Sequence, residues 1–156
     1  AYYQEKKFNI DVIQAVLAKK PTAPLDFDKR IKAVSYFRDL VEAEALAAAN
    51  KRVGNILAKF DGELYEIFND ELAEEGAETL LATVYSDINN TIIPLLAEQD
   101  YQAALTELAK LKAPIDNFFD NVMVMSDDEA VKINRLTLLN LIRNSFLAIA
   151  DISVLQ

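Results

Sequence analysis

Two clusters of cations and amides stand out in the first sixty residues: Lys29, Arg30, Lys32 and Arg38, then Asn50, Lys51, Arg52, Asn55 and Lys59. Lysines and arginines at this density hold phosphates, while amides and guanidinium groups among them read the edges of exposed bases. That combination is what a nucleic-acid-binding face requires. Tyr36 and Phe37 lie close by in sequence. A plainer account stands beside this one, in which lysines on an alanine-rich helix form its wet side. Spacing alone leaves both open.

Bond-making chemistry finds less support. Glu74 and Glu78 are four apart and would share a helix face, with Glu75 and the pair Asp70 and Glu71 nearby. A metal site in a helical bundle normally adds His in Glu-x-x-His pairs, and the chain has no His and no Cys. Zinc spacings, disulfides, a Cys nucleophile and His-based triads are excluded together. No glycine-rich phosphate loop is present and no nucleophile has a base beside it. The acidic residues therefore read as a solvated face, and no catalytic residue, metal or cofactor is expected in this segment.

Helices must position the cationic clusters. With three glycines, four prolines and 52% apolar residues in 156, the chain favours helix almost throughout. It is long enough for one domain burying roughly 68–70% of its unfolded surface, and we expect residues 1–156 to form a single all-α helical bundle. A first helix is expected over residues 10–20, stopped by Pro21, and a second beginning after Asp26 as N-cap, with Phe27, Ile31, Val34, Ser35 and Leu40 inward. The third, residues 41–60, places Leu46, Ala49, Val53, Ile56, Leu57 and Phe60 on one buried face. At 100° per residue Asn55 points about 200° away from Val53, so Lys51, Asn55 and Lys59 face outward. Gly54 sits inside this helix at a cost of about 1 kcal/mol relative to Ala, as though something approached the backbone there.

A turn at Asp61 and Gly62 leads through a short amphipathic piece (Leu64, Tyr65, Ile67, Phe68) to a helix over residues 71–97, kinked near Pro94. Asp100 reads as the N-cap of a helix over residues 101–111, and Pro114 starts a further turn through Ile115, Phe118 and Phe119. Phe118, Phe119, Met123 and Met125 are expected in the core.

The last forty residues carry the organising element. From 128 to about 152 the apolar positions are too many for one stripe, which marks a helix buried nearly all round. Ser126 and Glu129 form the expected capping box at its start. Arg135 and Arg143, eight apart and near one stripe, either form ion pairs that orient this helix or reach a groove shared with the third helix.

Charge is segregated. Residues 1–60 hold 11 Lys and Arg against 7 Asp and Glu, a net of +4, whereas residues 61–109 hold 12 Asp and Glu and no Lys or Arg. The overall net charge of −9 opposes binding to RNA only if the acidic third shares the basic face. Opposite sides of a bundle are roughly 20 Å apart, beyond two Debye lengths of about 8 Å. No run approaches the ~20 apolar residues that span a bilayer, and we expect a cytoplasmic protein without a membrane partner. The opening Ala1, with no initiator Met, reads as a piece of a longer chain, residues 1–9 being a junction with a preceding domain.

Four blocks, in order, carry a resemblance: Leu25-Asp-Phe-Asp-Lys-Arg-Ile-Lys-Ala-Val34, Ala48-Ala-Asn-Lys-Arg-Val-Gly-Asn-Ile-Leu-Ala-Lys59, Phe118-Phe-Asp-Asn-Val-Met-Val-Met125, and Asn134-Arg-Leu-Thr-Leu-Leu139 through Ala150-Asp-Ile-Ser-Val-Leu-Gln156. They resemble the C-terminal region of bacterial glycyl-tRNA synthetase beta subunits over residues 10–60 and 100–156. The acidic middle matches only in length and helical character. Gly54 stands where members tend to carry Ser, and the letters Asp-Ala-Leu-Arg do not appear as such. The resemblance implies a helical anticodon-binding domain of the type named for that signature, with ATP, Mg and glycine handled on a separate alpha subunit joined through the parent chain. It implies Arg52 and Asn55 as base or sugar contacts and Arg30, Lys32, Lys51 and Lys59 as phosphate contacts to a glycine tRNA. Arg38, Asn50 and Arg135 complete the expected RNA-binding set. Two alternatives remain: a protein-interaction module for subunit assembly, its acidic third being the contact surface, and an anticodon-binding domain of an arginyl-type synthetase.

Overall fold

A computed structural model describes residues 9–20 and 23–155. Among them are seven α-helices and no strand, in the order α1 (Ile10–Leu17), α2 (Pro24–Arg38), α3 (Ala43–Ala58), a 3-10 turn (Asp70–Leu72), α4 (Ala77–Ala97), α5 (Tyr101–Ala109), α6 (Lys112–Asn121), α7 (Glu129–Leu147) and a closing 3-10 turn (Ile152–Val154). The expected junction at residues 1–9 lies, but for Asn9, outside the described residues.

The organising element is α7. Its residues 134–139 are buried consecutively, which no amphipathic helix allows and a central one requires. It contacts α3 and α4; α2 lies on α1 and α5, α4 on α5 and α6, and α3 on the closing 3-10 turn. One apolar cluster joins them, with Phe37, Phe118 and Phe146 fully enclosed. Phe37 meets Phe146 edge-on at 6.3 Å, a favourable aromatic geometry. Phe37, expected near the basic face, is a core residue.

Several boundaries differ from expectation. Helix α2 begins at Pro24, two residues before Asp26, because proline is pre-organised for the first helical position, where its missing N–H costs nothing. Asp26 instead pairs with Arg30 one turn on. The amphipathic piece around residues 64–68 is irregular, and α4 starts only at Ala77, after Gly76 has turned the chain at φ 118°. That conformation belongs to glycine. Pro94 lies within α4, which runs on to Ala97.

Helix α7 is capped by Asp128, whose carboxylate accepts from the Val131 amide at 3.2 Å, rather than by Ser126. The serine hydroxyl accepts from the Asp128 amide. A carboxylate at this position both caps and offsets the positive helix end. The helix also stops at Leu147, short of 152. Beyond it the Asp151 amide donates to the Ala15 carbonyl at 3.0 Å, and the Asp151 carboxylate caps the closing turn at Ser153.

Met123 and Met125, expected inside, are 69% and 50% exposed. They lie in the loop between α6 and α7, where the backbone rather than the side chains is held down.

Candidate nucleic-acid interface

The structure separates the expected RNA-binding residues into those engaged by polar partners within the chain and those with no such side-chain partner among the described residues. Arg30 belongs to the first group. Its Nε donates to Asp26 at 2.7 Å, Nη1 to the carbonyls of Ala148 and Ile149 at 2.9 and 2.7 Å, and Nη2 to the Tyr101 hydroxyl at 3.0 Å. The guanidinium also lies over the Tyr101 ring at 4.4 Å. Arg30 thus ties α2 to α5 and to the end of α7.

The Tyr101 hydroxyl donates to Asp26 as well. Burial pushes the Asp26 carboxyl up, but hydrogen bonds from Tyr101 and Arg30 and the charge of Arg30 outweigh it, leaving a net downward shift. Tyr101 is raised, by burial first and by its bond to Asp26 second.

Arg135 is likewise internal, its side chain only 7% exposed. Nε meets Glu78 Oε1 at 2.8 Å, Nη1 donates to the Met123 carbonyl at 2.6 Å, and Nη2 stands 3.6 Å from Glu74. This also revises the acidic face: Glu78 is fully buried beneath α7, while Glu74 lies in the loop before α4 and its amide donates to Glu78. Asn50 is buried, donating to the Leu46 carbonyl of its own helix at 2.9 Å. Arg38 joins α2 to α1 through Asp11 at 2.8 Å. Lys32 is exposed and paired with Asp28 at 2.9 Å.

Lys51, Arg52, Asn55 and Lys59 form the second group, all exposed along one strip of α3. Among the described residues no carboxylate lies within 4.0 Å of Lys51, Arg52 or Lys59, and no hydrogen bond engages the side-chain amide of Asn55. Ala48 and Ile56 complete the floor of a shallow depression along this strip. A larger groove of ≈ 850 Å³ shares Ala48 and Lys51 with it and runs between the α2–α3 corner and the closing 3-10 turn.

The acidic run that follows α3 is fastened to α7 instead. The Tyr65 amide donates to Thr137 at 3.0 Å, and Asn69 exchanges two hydrogen bonds with Asn134. Among the described residues no group of three or more carboxylates is placed to hold a metal ion.

The two arginines of α7 divide the roles foreseen for them. Arg135 forms ion pairs, and Arg143 reaches the third helix. A Cβ at Gly54 would lie 3.3 Å from Arg143 Nε, so the backbone of α3 is approached closely there.

The exposed strip has a neighbour from α6. The Arg52 guanidinium stacks over the ring of Phe119, Cζ to centroid 4.0 Å. No local period in the sequence pairs a residue of α3 with one of α6. Phe118 is fully buried and Phe119 half-buried.

The profile of the family described as the DALR anticodon binding domain matches residues 46–155, which takes in α3 and everything after it. The chain belongs to this family. Among proteins similar to it over its whole length are glycine–tRNA ligase beta subunits of Colwellia psychrerythraea, 74% identical, and Aliivibrio fischeri, 61% identical. That of Vibrio cholerae is 63% identical over 99% of the chain. The chain spans 23% of the first two relatives and 22% of the third. No helix among the described residues is long and apolar enough to cross a membrane.

Proposed function

We propose that this chain grips the anticodon loop of a glycine tRNA through the exposed strip of α3, as part of a glycine–tRNA ligase beta subunit in the cytoplasm. The observation that carries this reading is the grouping of Lys51, Arg52, Asn55 and Lys59 on one helical face, with no carboxylate within 4.0 Å of the cations among the described residues, in a chain of the anticodon-binding family. The lysines would hold loop phosphates, and Asn55 and Arg52 would meet bases splayed out of the loop. No bond is made or broken here, and no cofactor is assigned to this segment. Binding orients the tRNA so that its acceptor end reaches the alpha subunit, where ATP, Mg and glycine are handled. That subunit is engaged through the parent chain.

The test is binding of the chain to an RNA hairpin carrying a glycine anticodon, with hairpins of exchanged anticodon bases for comparison. Arg52→Ala is expected to weaken binding by about 1–3 kcal/mol. Unchanged affinity in a folded variant removes Arg52 from the interface. Equal affinity for an arginine anticodon contradicts the assignment to glycine tRNA.

A further inference from the structure

We infer that Arg52, held flat by Phe119, is a stacking platform for one unpaired nucleobase of the bound loop, and that Phe119 is the residue that positions it. The inference rests on the reading of α3 as the RNA face and adds to it a contact type and a residue from α6.

Arg30 and Arg52 both lie over aromatic rings, and the contrast between them is informative. Arg30 sits 4.4 Å from the Tyr101 centroid, half-buried, with its N–H groups donated to Asp26, Ala148, Ile149 and Tyr101. Its stack is one contact in a network that knits the fold. Arg52 sits 4.0 Å from the Phe119 centroid and is exposed. Among the described residues it makes no hydrogen bond and no ion pair.

A cation–π contact at the surface contributes little by itself, but it restricts a long, otherwise mobile side chain to one plane. That plane is backed in turn. Phe119 meets Phe118 edge-on at 5.8 Å and 70°, and Phe118 is fully enclosed. The guanidinium thus lies over a ring fixed from behind and remains exposed to a partner. A flat, exposed cation with unused donors suits a nucleobase, since unstacked bases are received on arginine planes as well as on aromatic rings.

Asn55, three residues on and so a neighbour on the helix surface, is placed to meet the edge of a base so stacked. Lys51 and Lys59 flank it for the backbone. Stacking tolerates any base, because every base has a π-face. Discrimination at this position therefore belongs to Asn55 rather than to Arg52.

The probe is a glycine-anticodon hairpin with 2-aminopurine placed in turn at each loop position, whose fluorescence falls when the base stacks. Arg52→Lys keeps the charge and loses the plane. Phe119→Leu loses the ring and keeps the bulk, and Phe119→Tyr restores the ring. Lys59→Ala removes only charge. One loop position is expected to be quenched on binding. Arg52→Lys and Phe119→Leu are expected to abolish that quench at saturating protein and to weaken binding about fivefold or more. Phe119→Tyr retains both, and Lys59→Ala weakens binding while the quench at saturation persists. A quench that survives Arg52→Lys, or Phe119→Leu in a folded protein, overturns the inference. Hairpin binding with no quench at any position overturns it too and leaves the proposed function standing. A hairpin that does not bind at all overturns both.

Discussion

Replacing Arg135 by Met should destabilise the fold severely without touching the exposed strip of α3. Glu78 is fully buried, and its Oε2 has no partner among the described residues. The Arg135 guanidinium, 2.8 Å from Oε1, is the cation that makes this burial tolerable. Removing one partner of a buried ion pair leaves an uncompensated charge and costs about 3–5 kcal/mol. The Met123 carbonyl also loses its donor at 2.6 Å. Against a typical stability of about 5–15 kcal/mol, this is a large fraction, equivalent to a fall in Tm of roughly 6–20 °C for a domain of this size. The double variant Glu78→Gln with Arg135→Met leaves no buried charge at the site, Glu74 being exposed, and should lie within about 1–2 kcal/mol of the parent, since neutral replacements of buried pairs are often neutral or stabilising. Urea unfolding of the parent, the two single variants and the double variant measures all these quantities. The reasoning is refuted if Arg135→Met costs less than about 1 kcal/mol. It also fails if the double variant is as unstable as Arg135→Met alone. Under conditions where Arg135→Met remains folded, hairpin affinity should be unchanged.

Two further outcomes follow from the same geometry. Because the folded-state pKa of Asp26 is lowered, its contribution is present above its ordinary value near 3.8 and is lost as pH falls through the folded-state value. Asp26→Asn should therefore lower stability at neutral pH by about 2 kcal/mol and flatten the decline below pH 4, as followed by thermal unfolding across an acid series. Asp128→Ala should cost about 1 kcal/mol as a lost N-cap, and Ser126→Ala clearly less, in urea titrations; the reverse order would restore Ser126 as the cap.

Local pattern made the helices and the outward strip legible. The four-residue spacing of Lys51, Asn55 and Lys59 against Val53 needs only the helical repeat, and it places them where the structure has them. The buried character of α7 was equally plain from apolar positions too many for one stripe. The network around Arg30 was hidden because two of its partners, the carbonyls of Ala148 and Ile149, lie 118 and 119 residues away. No local period carries that contact. Arg135 and Glu78, 57 residues apart, are hidden for the same reason, and so is the stacking of Arg52 on Phe119. The irregular run before α4 has helical composition, but hydrogen bonds from Tyr65 and Asn69 to α7 hold its backbone in another path. Tertiary context overrides propensity there.

The most direct measurement of the central proposal is the salt dependence of hairpin affinity, compared between the parent chain and the double variant Lys51→Ala with Lys59→Ala. If these lysines hold loop phosphates, removing both flattens the slope of log K against log salt by about 1.4, at roughly 0.7 per contact on a single strand. An unchanged slope would mean that the RNA lies elsewhere on the molecule.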